Sequence, residues 1–358
     1  MSSSCKARPP RSSASSARVK RGRRRRRPLF FALAIALAAC QAPPGDTAAS
    51  TVPTAVGVGS RSTFAVAAPA GLFGLDPDGK ILGHIVALPA GAIASSPTLD
   101  PSRKGIVFAL ARAVGPDGPG SDIYRVDLDG RDLRPLLTHE GPGIFYASPS
   151  LDRDGRYLYV HRRAAELDLR QAAESRTEDS IERLDLRTGE RRTILTDAAE
   201  PAVSPDGTTL AFVHFSRGDQ DGLWRASADG SAAGPFLKTR DRFVFVQAPR
   251  ISPTGREIVL STAGHLVTRV RGPDATRAWG GRSAHLGILS EIFVGPLDGS
   301  SVRSIATLAD DVVPAWSPDG ARIAYIATGT LYVVSPADGA VRLSRRVGLL
   351  YGDPVWLR

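Results

Sequence analysis

Between Pro97 and Tyr325 the chain repeats one short phrase five times, and this repetition narrows the possible fold more sharply than any other feature. The copies read PTLDPSRKGIVF from Pro97, PSLDRDGRYLYV from Pro149, PAVSPDGTTLAF from Pro201, PRISPTGREIVL from Pro249 and PAWSPDGARIAY from Pro314. A sixth begins as PVWLR at Pro354 and runs to Arg358. Ser317-Pro318-Asp319-Gly320 suits a type I turn, with proline presetting φ at the second position and glycine closing it. After the turn, Ile323 and Tyr325 alternate with small residues, as do Ile106 and Phe108, Leu158 and Val160, Leu210 and Phe212, and Ile258 and Leu260. That is the period of a strand, so each copy predicts strand, tight turn, strand.

A second phrase follows each first one: IYRVDLDG at Ile123, IERLDLRTG at Ile181, LWRASADG at Leu223, IFVGPLDG at Ile292 and LYVVSPADG at Leu331. Its Asp-Gly or Thr-Gly pair is a hairpin signal. The two phrases together predict four antiparallel strands in about fifty residues, the size of a propeller blade. LFGLDPDG, from Leu72, precedes any copy of the first phrase, while DPVWLR at the other end is a first strand with nothing after it. Joined, these pieces complete a blade. The expectation is an all-β, six-bladed β-propeller over residues 62–358, closed by pairing the C-terminal strand with the N-terminal strands, which leaves no open edge.

The Pro-x-x-Ser-Pro-Asp-Gly phrase followed by an apolar strand resembles the TolB-type, or WD-like, propeller repeat of bacterial periplasmic proteins. The turn matches fully at Ser204–Gly207 and Ser317–Gly320, weakens at Arg153-Asp154-Gly155, and lacks its glycine at Pro101-Ser102-Arg103. The resemblance implies the propeller fold. TolB proteins carry an α/β domain ahead of the propeller, and residues 41–62 here do not resemble one, so TolB's own partners are not carried over.

The formal charge of +10 looks like a nucleic-acid signature until it is located. Residues 1–39 hold 11 Lys and Arg and no acid, which leaves 35 bases against 36 acids in the remainder. A body of net charge −1 cannot track a phosphate backbone, so no nucleic-acid partner is expected. The basic run leads into twelve residues, Pro28 to Ala39, that are mostly apolar, too few for a bilayer span of ~20. Leu37-Ala38-Ala39-Cys40 resembles the bacterial lipoprotein box. The expected organisation is a signal peptide over 1–39, a lipidated Cys40 with a flexible tether over 40–61, and the propeller. The other cysteine, Cys5, falls in the discarded part. Gln41 resembles the signal that sorts lipoproteins to the outer membrane. A protein lipid-anchored to the cell envelope, facing the periplasm and monomeric, is the expectation.

In a meander the short Pro-Asp-Gly and Asp-Gly turns share one face, and the longer insertions share the other. The insertions are Ala109–Ser121, His161–Ser180, Ser216–Asp221 and Ser261–Ser290, and long loops gathered on one face mark a binding surface. Arg162–Arg176 has helix-forming composition and predicts a short amphipathic helix. The longest insertion brings Arg277, Trp279, Arg282 and His285, a usual hot-spot composition for a protein or an acidic or carbohydrate ligand. The residues before each repeat proline, Ser96, Ser148, Glu200, Ala248, Val313 and Asp353, are expected to line a central funnel, with Arg250 beside them. Glu200 and Asp353 could together hold a cation or a basic group.

Enzyme motifs are absent from the sequence. The six His show no metal-ligand spacing, no Gly-x-Ser-x-Gly elbow occurs, and the chain contains no Asn. No metal, cofactor or catalytic residue is assigned. His139, His214 and His285 are the candidates for a cluster assembled in space. The expected function is a binding or scaffold lipoprotein; the alternative is a polysaccharide lyase or glycosidase with its site in the funnel.

Overall fold

The computed structural model describes residues 53–112, 117–168, 173–236, 243–265, 290–308, 312–349 and 352–358. They form antiparallel meanders, with one 3-10 turn at Val58–Arg61. No helix among them is long and apolar enough to cross a membrane.

In the first sheet, β2 (Phe64–Ala68), β3 (Gly71–Leu75) and β4 (Ile81–Ala87) are flanked by β1 (Thr54–Ala55) beyond β4. The second sheet runs through β5 (Ala92–Leu99), β6 (Gly105–Arg112), β7 (Gly120–Asp127) and β8 (Arg134–Leu137), then β9 (Ile144–Leu151), β10 (Tyr157–Asp168), β11 (Ala173–Asp185) and β12 (Arg191–Thr196). The third contains β13 (Ala198–Val203), β14 (Thr209–Ser216), β15 (Asp219–Ser227) and β16 (Gly234–Pro235). The fourth contains β17 (Phe243–Ile251), β18 (Glu257–His265), β19 (Ser290–Pro296) and β20 (Arg303–Leu308). The fifth contains β21 (Ala315–Trp316), β22 (Ile323–Ala327), β23 (Thr330–Val334) and β24 (Val341–Arg346). The last strand, β25 (Asp353–Trp356), leaves the fifth sheet and pairs with β2, Phe64 facing Trp356 and Ala67 facing Asp353.

Two sequence expectations change here, the helix and the tether. Six blades were expected, and the described residues make five sheets, each open. The cause is a single parallel pair, Ser121 opposite Phe145, which joins the β5–β8 and β9–β12 meanders. The helix expected at Arg162–Arg176 is a long hairpin instead, with Arg162 opposite Ser180 and Asp168 opposite Ala173. Cross-strand pairing on both sides of β10 outweighs helix propensity, which is only a weak prior. The tether expected to run to residue 61 is folded at its end, where Thr54 pairs with Ala87 and the Val56 amide donates to the Ile85 carbonyl at 2.8 Å.

The turns form as their residues dictate. In Ser317–Gly320 the Gly320 amide donates to the Ser317 carbonyl at 2.8 Å, and the Arg322 amide to the Ser317 hydroxyl at 2.9 Å. Gly207, Gly255 and Gly320 all sit near φ 70, left-handed and cheap only for glycine. Where the glycine is missing, Arg103 takes φ 59 and the same turn closes, while its guanidinium donates to the Leu357 carbonyl at 3.2 Å.

Alternation along the strands feeds two cores at once. Ile106, Phe108 and Leu110 pack toward the first sheet, with Ala65, Leu72 and Ile85; Val107 and Ala109 pack the other way, with Tyr146, Leu158 and Val160. Clusters of the same kind join each meander to the next. A further cluster joins Ala324, Ile326, Leu331 and Val333 of the fifth sheet to Phe64, Val66, Phe73 and Leu75 of the first.

Candidate functional site

The repeat proline builds the site. A residue before proline avoids the right-handed helical region. Ser96, Ser148, Glu200 and Ala248 go further, into left-handed backbone at φ 50, 49, 52 and 48. Each coincides with a break in the first strand's pairing register, between Ser95 and Thr98, Ala147 and Ser150, Ala199 and Ala202, and Gln247 and Arg250. Such bulges re-aim side chains and amides away from the ladder.

The re-aimed groups meet across neighbouring meanders. The Ser96 amide donates to Asp353 Oδ2 at 2.7 Å, and the Ala248 amide donates to Glu200 Oε2. In each pair, the residue before one repeat proline supplies the carboxylate and its counterpart in the next meander supplies the amide. Arg250 lies among them. Its Nη1 donates to the Pro249 carbonyl at 2.9 Å, and its own carbonyl accepts from Trp316 Nε1 at 3.0 Å.

Burial dominates the electrostatics. It pushes the Arg250 guanidinium below its usual range, while the charges of Glu200 and Asp353 work against that. It pushes the Asp353 carboxyl up, opposed by the Ser96 amide and Arg250. Arg250, Glu200 and Asp353 nevertheless keep partial solvent access, so protein surrounds the three charges without sealing them. Val313, also expected here, is half-buried and not left-handed. Sequence reasoning named Glu200, Arg250 and Asp353 but missed the backbone amides that hold the two carboxylates. The residue before each repeat proline was the available signal.

The other candidates do not converge. His139 Nδ1 lies 2.6 Å from Asp122, His161 Nε2 2.7 Å from Asp179, and His214 Nδ1 2.7 Å from Asp221. The His214 ring stacks on Trp224 at 3.8 Å. Each histidine thus has its own carboxylate, and no group of three His, Cys, Asp or Glu among the described residues is placed to hold a metal. Cys40, Arg277, Trp279, Arg282 and His285 lie outside the described residues.

A polar cluster, buried at Tyr146 and Glu182 and open at Glu140 and Arg191, sits between β9, β11 and β12. The Tyr146 hydroxyl donates to Glu140 at 2.8 Å and accepts from Arg191 at 2.7 Å; Glu182 pairs with Arg191 at 3.4 Å and Arg162 at 3.6 Å. Burial raises both the Tyr146 phenol and the Glu182 carboxyl. On the side of the tight turns, a cleft of about 890 Å³ opens between β8 and the β11–β12 hairpin, and none of the funnel residues line it. Arg125, on its wall, is tied to Asp100, Asp127 and Asp132, and Arg191 to the cluster above.

No family model matches the chain. No curated protein matches it either. Among solved structures, TolB from Acinetobacter baumannii is similar over 82% of this chain and 66% of its own, with 18% identity and a TM-score of 0.58. The chain therefore spans slightly less than two thirds of that protein. A chain of a nidogen/laminin complex is similar over 82% of this chain and 97% of its own, with 10% identity and a TM-score of 0.56. An oligogalacturonate lyase in complex with manganese covers 84% and 86% at 14% identity, but its TM-score of 0.45 is too low to carry an argument. Identities this low speak for the fold alone. The fold is that of a TolB-like β-propeller.

Proposed function

We propose that this protein is an envelope lipoprotein whose propeller binds a protein or small ligand on the face of its longer hairpins and in the funnel beneath. In this reading the eight-stranded sheet counts as two blades, and β25 completes the first sheet, giving six blades in a closed ring. Residues 1–39 are its signal peptide, Cys40 carries lipid, and the protein faces the periplasm as a monomer. The observation that carries the binding role is the convergence of Arg250, Glu200 and Asp353 from three separate sheets onto one solvent-accessible place. β18 and β19, which bracket residues 266–289 with Arg277, Trp279, Arg282 and His285 in the chain, hold the same second and third places in their meander as β10 and β11 in theirs.

The lyase or glycosidase alternative would use Glu200 and Asp353 as its acid and base. Against it, each carboxylate is already engaged by a backbone amide.

One experiment tests anchor and face together. Cells fed labelled palmitate should yield labelled protein, and Cys40→Ser should abolish the label, since stable anchoring takes more than one chain. Replacing residues 266–289 by a short Gly-containing turn, with β18 and β19 left whole, should barely change stability because loop closure entropy grows slowly with length. It should also remove the partner captured by the wild type. An unlabelled wild type refutes the lipoprotein reading, and capture that survives loop replacement moves recognition off this face.

A further inference from the structure

We propose that the funnel is a receptor for a small zwitterion, a molecule bearing a carboxylate and an ammonium group, with Arg250 taking the carboxylate and Glu200 and Asp353 the ammonium. This rests on the funnel's being a binding site and names what it binds.

The charges are held apart and left under-used. A guanidinium has five N–H donors and an ionised carboxylate about four acceptor positions. Among the described residues the Arg250 guanidinium makes one hydrogen bond, to its neighbour's carbonyl, while Glu200 and Asp353 each give one oxygen to a backbone amide. Arg250 is linked to the two carboxylates by charge and not by a hydrogen bond. Each group is thus left with positions that a molecule entering the funnel can take up.

The backbone keeps these groups from collapsing onto one another. Proline follows Glu200 and Asp353, Glu200 and Ala248 are fixed in left-handed backbone, and the Trp316 indole holds the Arg250 carbonyl. The arrangement is therefore pre-organised, which lowers the cost of binding.

Charge balance selects the ligand. A bare metal cation would meet the Arg250 charge, and a simple anion would meet two carboxylates. A molecule of both signs satisfies all three groups, and the excess negative charge of the site disfavours any ligand of net negative charge.

The test is calorimetric titration of the purified full-length protein with glycine, β-alanine and γ-aminobutyrate, which step the separation of the two charges. Acetate and methylammonium serve as single-charge controls. One member of the series should bind saturably and at least about tenfold more tightly than either control. Arg250→Gln and Glu200→Gln should each weaken that member by at least about tenfold, and Arg250→Lys, which keeps charge but loses the planar fork, should weaken it less than Arg250→Gln. Thermal midpoints show which variants are folded; if Arg250→Gln is not, Glu200→Gln and Asp353→Asn decide.

Absence of binding across the series overturns the proposal. So does acetate or methylammonium binding as tightly as the best zwitterion, or unchanged affinity in the folded variants. If the titrations fail while partner capture still depends on residues 266–289, the zwitterion is refuted and the binding module stands. If capture fails while the titrations succeed, the reverse holds.

Discussion

Left-handed backbone costs an ordinary residue roughly 1–2 kcal/mol, and four residues in equivalent repeat positions bear that cost here, of which Ala248 isolates it best. Its side chain is a buried methyl group, and the work at this position is done by its amide, bonded to Glu200. Ala248→Gly should therefore change stability by less than about 1 kcal/mol, relief of strain being offset by a more flexible unfolded chain. Ala248→Val should be at least about 2 kcal/mol less stable than the glycine variant, because a β-branched side chain tolerates positive φ worst. Denaturant titration of the two variants checks this, and equal midpoints would contradict the left-handed assignment. The sequence made the site legible as far as its periodicity reached. Proline at a fixed place in each copy marked the neighbouring residue as funnel-lining, which located Glu200, Arg250 and Asp353. The bulge and the amide-to-carboxylate bonds were not legible, because they depend on how a first strand pairs with its second strand and meets the next meander. The amide and its carboxylate are 48 residues apart for Ala248 and Glu200, and 257 apart for Ser96 and Asp353.

The β10–β11 hairpin shows the same limit one level up. Arg162–Arg176 reads as a helix because Ala, Glu, Leu, Arg and Gln are good helix formers, and nothing within the segment reveals that β9 lies alongside. What fixes it as a ribbon is partly Asp179. That carboxylate lies opposite Arg163, whose Nε it meets at 2.8 Å, and diagonally from His161, whose Nε2 it meets at 2.7 Å. Burial alone would raise the Asp179 pKa; the bonds to His161 and Arg163 outweigh it and bring it down to about 2. A carboxylate whose folded pKa is depressed stabilises the fold above its unfolded pKa of ~3.9, and this stabilisation is lost as pH falls through the folded value. The amount is about 2 kcal/mol. Asp179→Asn should show that deficit at pH 6, and the gap between variant and wild type should narrow as pH drops from about 4 toward 2. Unfolding curves across this range are the measurement, and a gap independent of pH would show that Asp179 is not ionised in this pairing.

At the scale of the molecule, packing passes from meander to meander and returns from the fifth sheet to the first, so the ends of the chain carry more than ends usually do. Trp356 is where this concentrates. Its ring lies 4.4 Å from that of Phe64, its Nε1 donates to the Ala315 carbonyl at 3.2 Å, and the Arg322 guanidinium sits over it at 4.8 Å. One side chain thus touches the first sheet and the fifth. Replacing it by alanine should cost ~3–5 kcal/mol, the usual range for a buried aromatic. Deleting residues 353–358 should cost more. It also removes the β2–β25 ladder, the Asp353 bond to the Ser96 amide, and the Leu357 carbonyl that accepts from Arg103, and it exposes the edge of β2. Deleting residues 53–57 is the control. That terminus holds the two-residue β1 and the exposed Val56, on the outer side of the same sheet. In a domain of this size each kcal/mol moves the thermal midpoint by roughly 2–4 °C. Trp356→Ala should therefore lower it by at least about 6 °C, the 353–358 deletion by more, and the 53–57 deletion by far less. Equal shifts for the two deletions would mean that β25 is an ordinary terminus, and the closed six-bladed ring would have to be abandoned.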